Sequence, residues 1–365
     1  MSNGYRFAVL GSGNGGRAWC AQIAAKGYPV IMWEPLEATD DYLRLREEKE
    51  MFLEGDINVG GRLEDVTMDI GEAMKGAKMV LVVVPSFAHE PIFRKMIPHL
   101  EDGQKVVMVP GNFGGFRLRK MMKGAGIDRD ITISEMASMP YACRIDAYNT
   151  VKVFKKKLQV KVGTSPQSEN AEICEILNGI FEGYVNYIPA ENLLEVDLDN
   201  INYVLHPFPV LFNYGEIEKN GKTYRHYIDG ITPIISEKIM KMDEERLTIG
   251  SKLGLKLQDS LSQLKMYYGQ NDTETIYEFV HSDESPYKDL VGQNIKGRYI
   301  SEDVPGVVVP ALQLARKVGV EAPIAELAVR ISSFLHDTDY EANGTTLERL
   351  GIANLTVEEI IRMVS

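Results

Sequence analysis

Gly11-Ser12-Gly13-Asn14-Gly15-Gly16 fits the pattern G-x-G-x-x-G. It follows a short β-type run, Phe7-Ala8-Val9-Leu10, and precedes Arg17 to Lys26, which reads as a helix. In that context Gly11 permits a tight turn, Gly13 lets backbone approach a pyrophosphate, and Gly16 lets helix and strand pack closely. The helix start adds free N–H groups and a partial positive charge for phosphate. Ser12, Asn14 and Gly15 complete this candidate cofactor turn. An ordinary glycine-rich turn is the bland alternative, which the strand and helix on either side disfavour. Glu34 closes the second strand, 23 residues after Gly11. A carboxylate there can accept hydrogen bonds from ribose hydroxyls and favours NAD(H) over NADP(H). Arg44 and Arg46 lie close in sequence and keep NADP(H) open, and a solvated strand-end acid would look the same. Pro85, after the third strand, joins the cofactor set. The turn Pro110 to Gly115 follows another strand, and ligands of wound α/β sheets bind at strand carboxyl ends. Asn112 within it is a candidate substrate contact. A loop shaped only for packing explains that turn equally well.

Histidine is the side chain that best exchanges protons near neutral pH. His206 precedes Pro207 in an otherwise helical run, so a ring capping a freed carbonyl is its bland reading. His89 and His99 flank a helix, and His226 and His281 sit in polar, loop-like stretches. His336, with Asp337 and Asp339, reads as a helix end followed by a solvated turn, and no metal site is assigned. Arg144 and Arg298 could be surface ion-pair partners, and Asp303 could cap a following helix. Cys20, Cys143 and Cys174 lack metal-ligand spacing and are odd in number, which argues against a disulfide framework and for a reducing compartment.

The elements that must position these groups are legible in outline. The 365 residues suggest two domains. Strand runs at Phe7–Leu10, Pro29–Trp33, Ala77–Val84, Lys105–Val109 and Ile131–Ser134 alternate with helical stretches, which predicts an α/β N-terminal Rossmann-type, doubly wound parallel sheet. Val151 to Val162 reads as one edge strand near its end. Beyond about residue 190 helical periodicity takes over, so a mostly α-helical C-terminal domain follows. The expected domains are 1–188 and 189–365. A formal charge of −12 makes nucleic acid and anionic membranes poor partners. No run approaches the ~20 apolar residues of a membrane span, and the N-terminus shows no signal-peptide pattern, so a cytoplasmic protein is expected. Assembly is left open, with a homodimer among the options.

Four further segments carry a resemblance: Met139-Pro140-Tyr141-Ala142-Cys143-Arg144, Asn202-Tyr203-Val204-Leu205-His206-Pro207, Asp243-Glu244-Glu245-Arg246, and Arg298-Tyr299-Ile300-Ser301-Glu302-Asp303-Val304-Pro305. With the glycine turn, they resemble the octopine/nopaline, or opine, dehydrogenase family over nearly the whole chain. The resemblance implies reductive condensation of an amino acid with an α-keto acid by NAD(P)H. It implies a catalytic His–Asp dyad at His206 and Asp303. It also implies that Arg298 holds a substrate carboxylate, with Arg144 a second anchor. The segment Val304-Pro305-Gly306-Val307 lacks a bulkier residue expected before the glycine. A Rossmann dehydrogenase acting on a simple keto or hydroxy acid, and a non-catalytic nucleotide-binding sensor, are the competing expectations.

Overall fold

The computed structural model describes residues 5–365. Its strands are β1 (Phe7–Leu10), β2 (Val30–Trp33), β3 (Glu50–Gly55), β4 (Val59–Arg62), β5 (Asp65–Thr67), β6 (Met79–Val82), β7 (Lys105–Met108), β8 (Thr132–Met136), β9 (Tyr141–Ala147), β10 (Thr150–Lys156), β11 (Gln159–Ser165) and β12 (Asn186–Pro189). The larger sheet has the order β12-β11-β8-β7-β6-β1-β2-β5. Its pairings from β8 to β5 are parallel, and β11 runs antiparallel to β8. Every residue of β1, β2 and β6 is buried, as expected for parallel strands covered on both faces.

Strand order places the ligand end of this sheet. From β1 the chain steps outward through β2 to β5, then returns to β6 on the other side of β1. The order therefore reverses between β1 and β6, where wound α/β sheets open a crevice. Their carboxyl ends carry the Gly11–Gly16 turn and the Val83–Pro85 segment.

A second sheet, β4-β3-β10-β9, corrects one expectation. Val151 to Val162 is not a single edge strand. Its first part is β10, paired with β3 on one side and β9 on the other. Its second part is β11 of the larger sheet. Lys157 makes the break: its N–H donates to the Pro140 carbonyl at 2.8 Å, and its buried ammonium donates to the Ser138 hydroxyl. The small sheet packs on the helix Asn14–Ala25, close enough that a Cβ on Gly61 would lie 2.5 Å from Ala24 backbone. Trp19 of that helix is fully buried, its ring 4.7 Å from Phe181.

The chain divides into two compact units. One runs to Val196 and takes back Met363–Ser365, and the other is Asp197–Arg362. The division falls inside the helix Leu193–Leu198. The second unit is helical. Its longest helix, Pro233–Lys252, begins with Pro233 at the first turn and Thr232 accepting from the Ile235 N–H, the arrangement preferred at helix starts. Ile239, Met242 and Ile249 on its inner face are fully buried, whereas Ile235 is only half-buried. Arg246 on the same face is buried between Asp199 and Asp243, at 2.9 and 2.8 Å. Those two carboxylates, with the Leu198 and Gln258 carbonyls, satisfy the guanidinium that burial would otherwise penalise. The Asp243–Arg246 segment is therefore structural. Among the described residues no helix is long and apolar enough to cross a membrane.

Candidate functional site

Gly11 has φ +120°, and a Cβ there would lie 2.5 Å from the Val83 carbonyl oxygen after β6. A Cβ on Gly16 would fall 1.8 Å from the Gly11 carbonyl oxygen, so glycine is required where helix meets turn. Gly15 is crowded by the side chains of Met139 and Val83. At Gly13 a Cβ would meet nothing within 4 Å. Gly13 is also the N-cap of the helix Asn14–Ala25 and offers no capping side chain. An open glycine at an uncapped helix start fits a dinucleotide pyrophosphate.

The neighbours of the turn are well defined. The Ser12 hydroxyl donates to the Glu34 carboxylate, whose other oxygen accepts from the Leu36 N–H at 2.8 Å. Glu34 is thereby held beside the glycine turn. The Asn14 side chain is turned away to β9, where its oxygen accepts from the Ile145 N–H at 2.9 Å. Pro85 precedes a single helical turn at Ser86–Ala88 and is half-buried. Arg44 pairs with Glu48 at 2.9 Å and lies over the Tyr148 ring at 3.8 Å, so it is engaged away from Glu34. Arg17, which directly follows the motif and reads in the sequence only as part of the helix, also braces the turn. It is buried, and it donates to the carbonyls of Ser12 and Tyr148.

The turn after β7 is shaped by packing. Cβ atoms on Gly111 and Gly115 would collide with the buried Glu135 side chain, and one on Gly114 with Met108. The Glu135 carboxylate accepts from the Gly115 N–H at 2.6 Å. Asn112 and Phe113 both adopt left-handed backbone, at φ 50° and 59°. Asn112 is buried, and its carbonyl accepts from Arg117 at 2.5 Å. Arg117 also donates to Ser86 and contacts His89, and so ties the turns after β6 and β7 together. Burial holds the His89 imidazolium well below its usual range, with Arg117 adding to the effect.

The second unit brings His206 and Asp303 together. His206 stands between two short helices, Asn202–Leu205 and Pro207–Leu211. Its Nδ1 lies 2.7 Å from Asp303 Oδ2, and both side chains are 5 % exposed. Asp303 immediately precedes a π-helical segment, Val304–Val308. It caps no helix through its side chain. Single π-turns of this kind are frequent at functional sites. Nε2 of His206 lies 3.1 Å from the Tyr227 hydroxyl. Tyr299 stacks on the imidazole, with centroids 3.6 Å apart and planes 9° apart. Burial pushes the His206 imidazolium down and the Asp303 carboxyl up. Arg298 lowers both, so its charge reaches the pair. Its side chain is 68 % exposed, and Nε lies 3.2 Å from Glu302.

Other residues keep plainer roles. Arg144 is exposed on β9 in the first unit. Burial pushes the Cys143 thiol up to about 12, which disfavours the reactive thiolate. His336 closes the helix Pro323–Leu335, and its ring nitrogens meet the Tyr340 hydroxyl and the Ile295 carbonyl. His226 is not in a loop. It opens the helix His226–Gly230, is buried, and stands edge-on to His206. Tyr227 beside it had no local signal, whereas Tyr299 lies inside the Arg298–Pro305 segment.

Comparisons with known proteins match both units. Residues 189–336 match the family model of the NAD/NADP octopine/nopaline dehydrogenase α-helical domain, and residues 6–137 that of the NAD-dependent glycerol-3-phosphate dehydrogenase N-terminus. The chain is 33 % identical to an opine dehydrogenase of Arthrobacter sp., over 97 % of each chain. It is 24 % identical to the protein ocs of Agrobacterium tumefaciens, over 99 % of each. A solved octopine dehydrogenase with NADH and L-arginine shares the fold at a TM-score of 0.79 and 20 % identity, covering 98 % of each chain.

Proposed function

This chain belongs to the octopine/nopaline (opine) dehydrogenase family, and from that premise we propose the roles of its residues in an opine-forming reaction. The enzyme is an NAD(P)-dependent oxidoreductase acting on CH–NH bonds. It condenses the amino group of an amino acid with an α-keto acid such as pyruvate, giving a secondary amine that carries two carboxylates, and catalyses the reverse oxidation.

The observation that carries the residue assignment is the buried 2.7 Å pair of His206 and Asp303. The amine attacks the keto carbon, and the resulting carbinolamine must lose its oxygen as water to leave an imine. His206 Nε2 gives the proton that this departing oxygen needs. Asp303 holds Nδ1 and so fixes which nitrogen faces the reaction. Whether the shared proton sits on Nδ1 or on Asp303, the protonated pair presents Nε2–H. Bound NAD(P)H supplies the hydride that reduces the imine carbon. Arg298 offers a planar guanidinium for a substrate carboxylate, with Arg144 as a second anchor and Asn112 as a support of the substrate side. Gly11 to Gly16 receive the pyrophosphate, Glu34 the adenosine ribose, and Pro85 borders the same crevice.

The test is NADH oxidation across pairs of amino acids and keto acids, with mass detection of the product. Oxidation is expected only when both partners are present. Turnover with a keto acid alone would replace this reading with a simple keto acid reductase, and tight NADH binding without turnover on any pair would favour a sensor.

A further inference from the structure

We infer that the Tyr227 hydroxyl returns the proton to His206 Nε2 after each turnover, with the Tyr299 hydroxyl as the next link outward. The inference rests on the reading of His206 as the proton donor. The overall chemistry requires such a return. An ammonium, a keto acid, NADH and one proton give a secondary ammonium, NAD+ and water, so each cycle takes up one proton net.

The surroundings of His206 restrict how that proton arrives. The imidazole is 5 % exposed and its Nδ1 is held by Asp303. Tyr299 covers one face of the ring at 3.6 Å. Nε2 faces the Tyr227 hydroxyl at 3.1 Å. Tyr227 is itself buried, and its ring is fixed by stacking on Tyr287 with centroids 4.0 Å apart. Tyr299, stacked on the same imidazole, raises the Tyr227 phenol beyond the effect of burial and is only half-buried.

The transfer balances at each link. Loss of water breaks the Nε2–H bond and forms an O–H bond on the departing oxygen. Nε2, now a lone pair, accepts the Tyr227 hydroxyl proton. The Tyr227 oxygen accepts the Tyr299 hydroxyl proton, and the Tyr299 oxygen is reprotonated from solvent. Burial pushes the Tyr227 phenol well above its usual range, so the hand-offs are concerted and no phenolate accumulates.

Tyr227→Phe removes one oxygen and leaves the stacked ring. The expected result is a kcat about tenfold lower, the worth of a single neutral hydrogen bond. KM for both substrates and the Kd of NADH should stay within about twofold, less than such a bond is worth. Imidazole buffer should restore kcat in the variant as its concentration rises, and leave the wild type unaffected. Tyr299→Phe should show the same buffer-dependent loss. Full kcat in either variant, or a loss that imidazole does not rescue, overturns the relay. His206→Ala is measured alongside: if it retains turnover, the donor assignment itself falls, and if it is inactive while Tyr227→Phe is normal, only the relay falls.

Discussion

His226 donates through Nε2 to the carbonyl oxygen of Leu205 at 2.9 Å. In an uninterrupted helix that oxygen would accept from the N–H four residues on, but residue 209 is proline and has none. His226 fills the vacancy, and the amide of Gln293 faces its Nδ1 at 3.3 Å. The carbonyl cap expected of His206 is thus supplied by a different histidine, and both nitrogens of His206 are left for Asp303 and Tyr227.

His226→Ala should therefore lower stability by roughly 1–3 kcal/mol, the penalty for a buried carbonyl left without a donor. Urea unfolding at pH 8 measures it. His226→Gln keeps an amide donor and removes the titration. Burial lowers the His226 imidazolium from its ordinary 6.5 to about 3. The unfolded chain therefore binds the extra proton first, and the contribution of neutral His226, fully present above about 6.5, is lost as pH falls from there toward 3. The glutamine variant should lose less stability than the wild type between about pH 6 and pH 4, inside the window where an unfolded histidine is charged and the buried one is not. Equal acid sensitivity of the two proteins counts against this role.

The cofactor preference follows from Ser12 and Glu34. Their hydrogen bond sets a carboxylate beside the glycine turn, where the 2′-phosphate of NADPH would meet like charge. Arg44 is committed to Glu48 and Tyr148. kcat/KM for NADH should exceed that for NADPH at least about tenfold, a ratio needing only ~1.4 kcal/mol of repulsion. Glu34→Ala should narrow the ratio mainly by improving NADPH. Equal efficiency in the wild type would show that Arg46 or Arg17 answers the phosphate instead.

How much of this could be read from the sequence depended on the range of the interactions. The larger sheet was legible because buried parallel strands leave continuous apolar runs, as at Met79–Val82. The glycine turn was legible because its constraints are local: Gly16 abuts Gly11, five residues away. The small sheet was not. Its strand β10 runs into β11 with no glycine or proline between, and the break is made by a buried Lys157 whose partners are Pro140 and Ser138. His226 was hidden for the same reason. Lys222-Thr223-Tyr224-Arg225 before it looks like a polar loop, and only the proline-interrupted helix, Leu205 and Pro209, explains a buried histidine there. Tyr227 inherits its place from that burial.

The role proposed for Arg298 rests on a charge and a shape. Arg298→Ala should raise the keto acid KM by an amount equivalent to roughly 1.5–3 kcal/mol, as for a hydrogen bond to a charged group. Arg298→Lys should recover only part, because an ammonium lacks the planar fork. NADH affinity should stay unchanged. Removing this cation also removes the influence that lowers both His206 and Asp303, so the alkaline limb of the pH profile should move to higher pH in both the alanine variant and a Gln variant. An unchanged keto acid KM would leave Arg298 as the surface partner of Glu302 alone.

The buried His206–Asp303 pair sets the expected pH dependence of the reaction. Burial lowers His206 to about 3 and raises Asp303 to about 7. The two groups share one hydrogen bond, so the proton taken up near pH 7 belongs to the pair. With that proton present, Nε2 carries hydrogen and can donate to the departing oxygen. Without it, Nε2 is a lone pair. Opine formation should therefore be full below about pH 7 and fall above it, while opine oxidation, which needs the lone pair, should rise through the same window. Asp303→Asn removes the raised carboxyl and leaves His206 to charge only at low pH, so the falling limb should shift to lower pH and the rate at pH 7 should collapse. His206→Ala should lose about 10²–10⁴-fold in opine formation where the wild-type pair is protonated, the usual contribution of general acid–base catalysis, and the deficit should shrink above the limb. NADH titration by fluorescence should give near wild-type affinity for both variants, as the proposed seating of the phosphates on the Gly11–Gly16 turn requires. A His206→Ala enzyme with wild-type turnover, or an Asp303→Asn profile that keeps the wild-type limb, would end the assignment of proton donation to this pair.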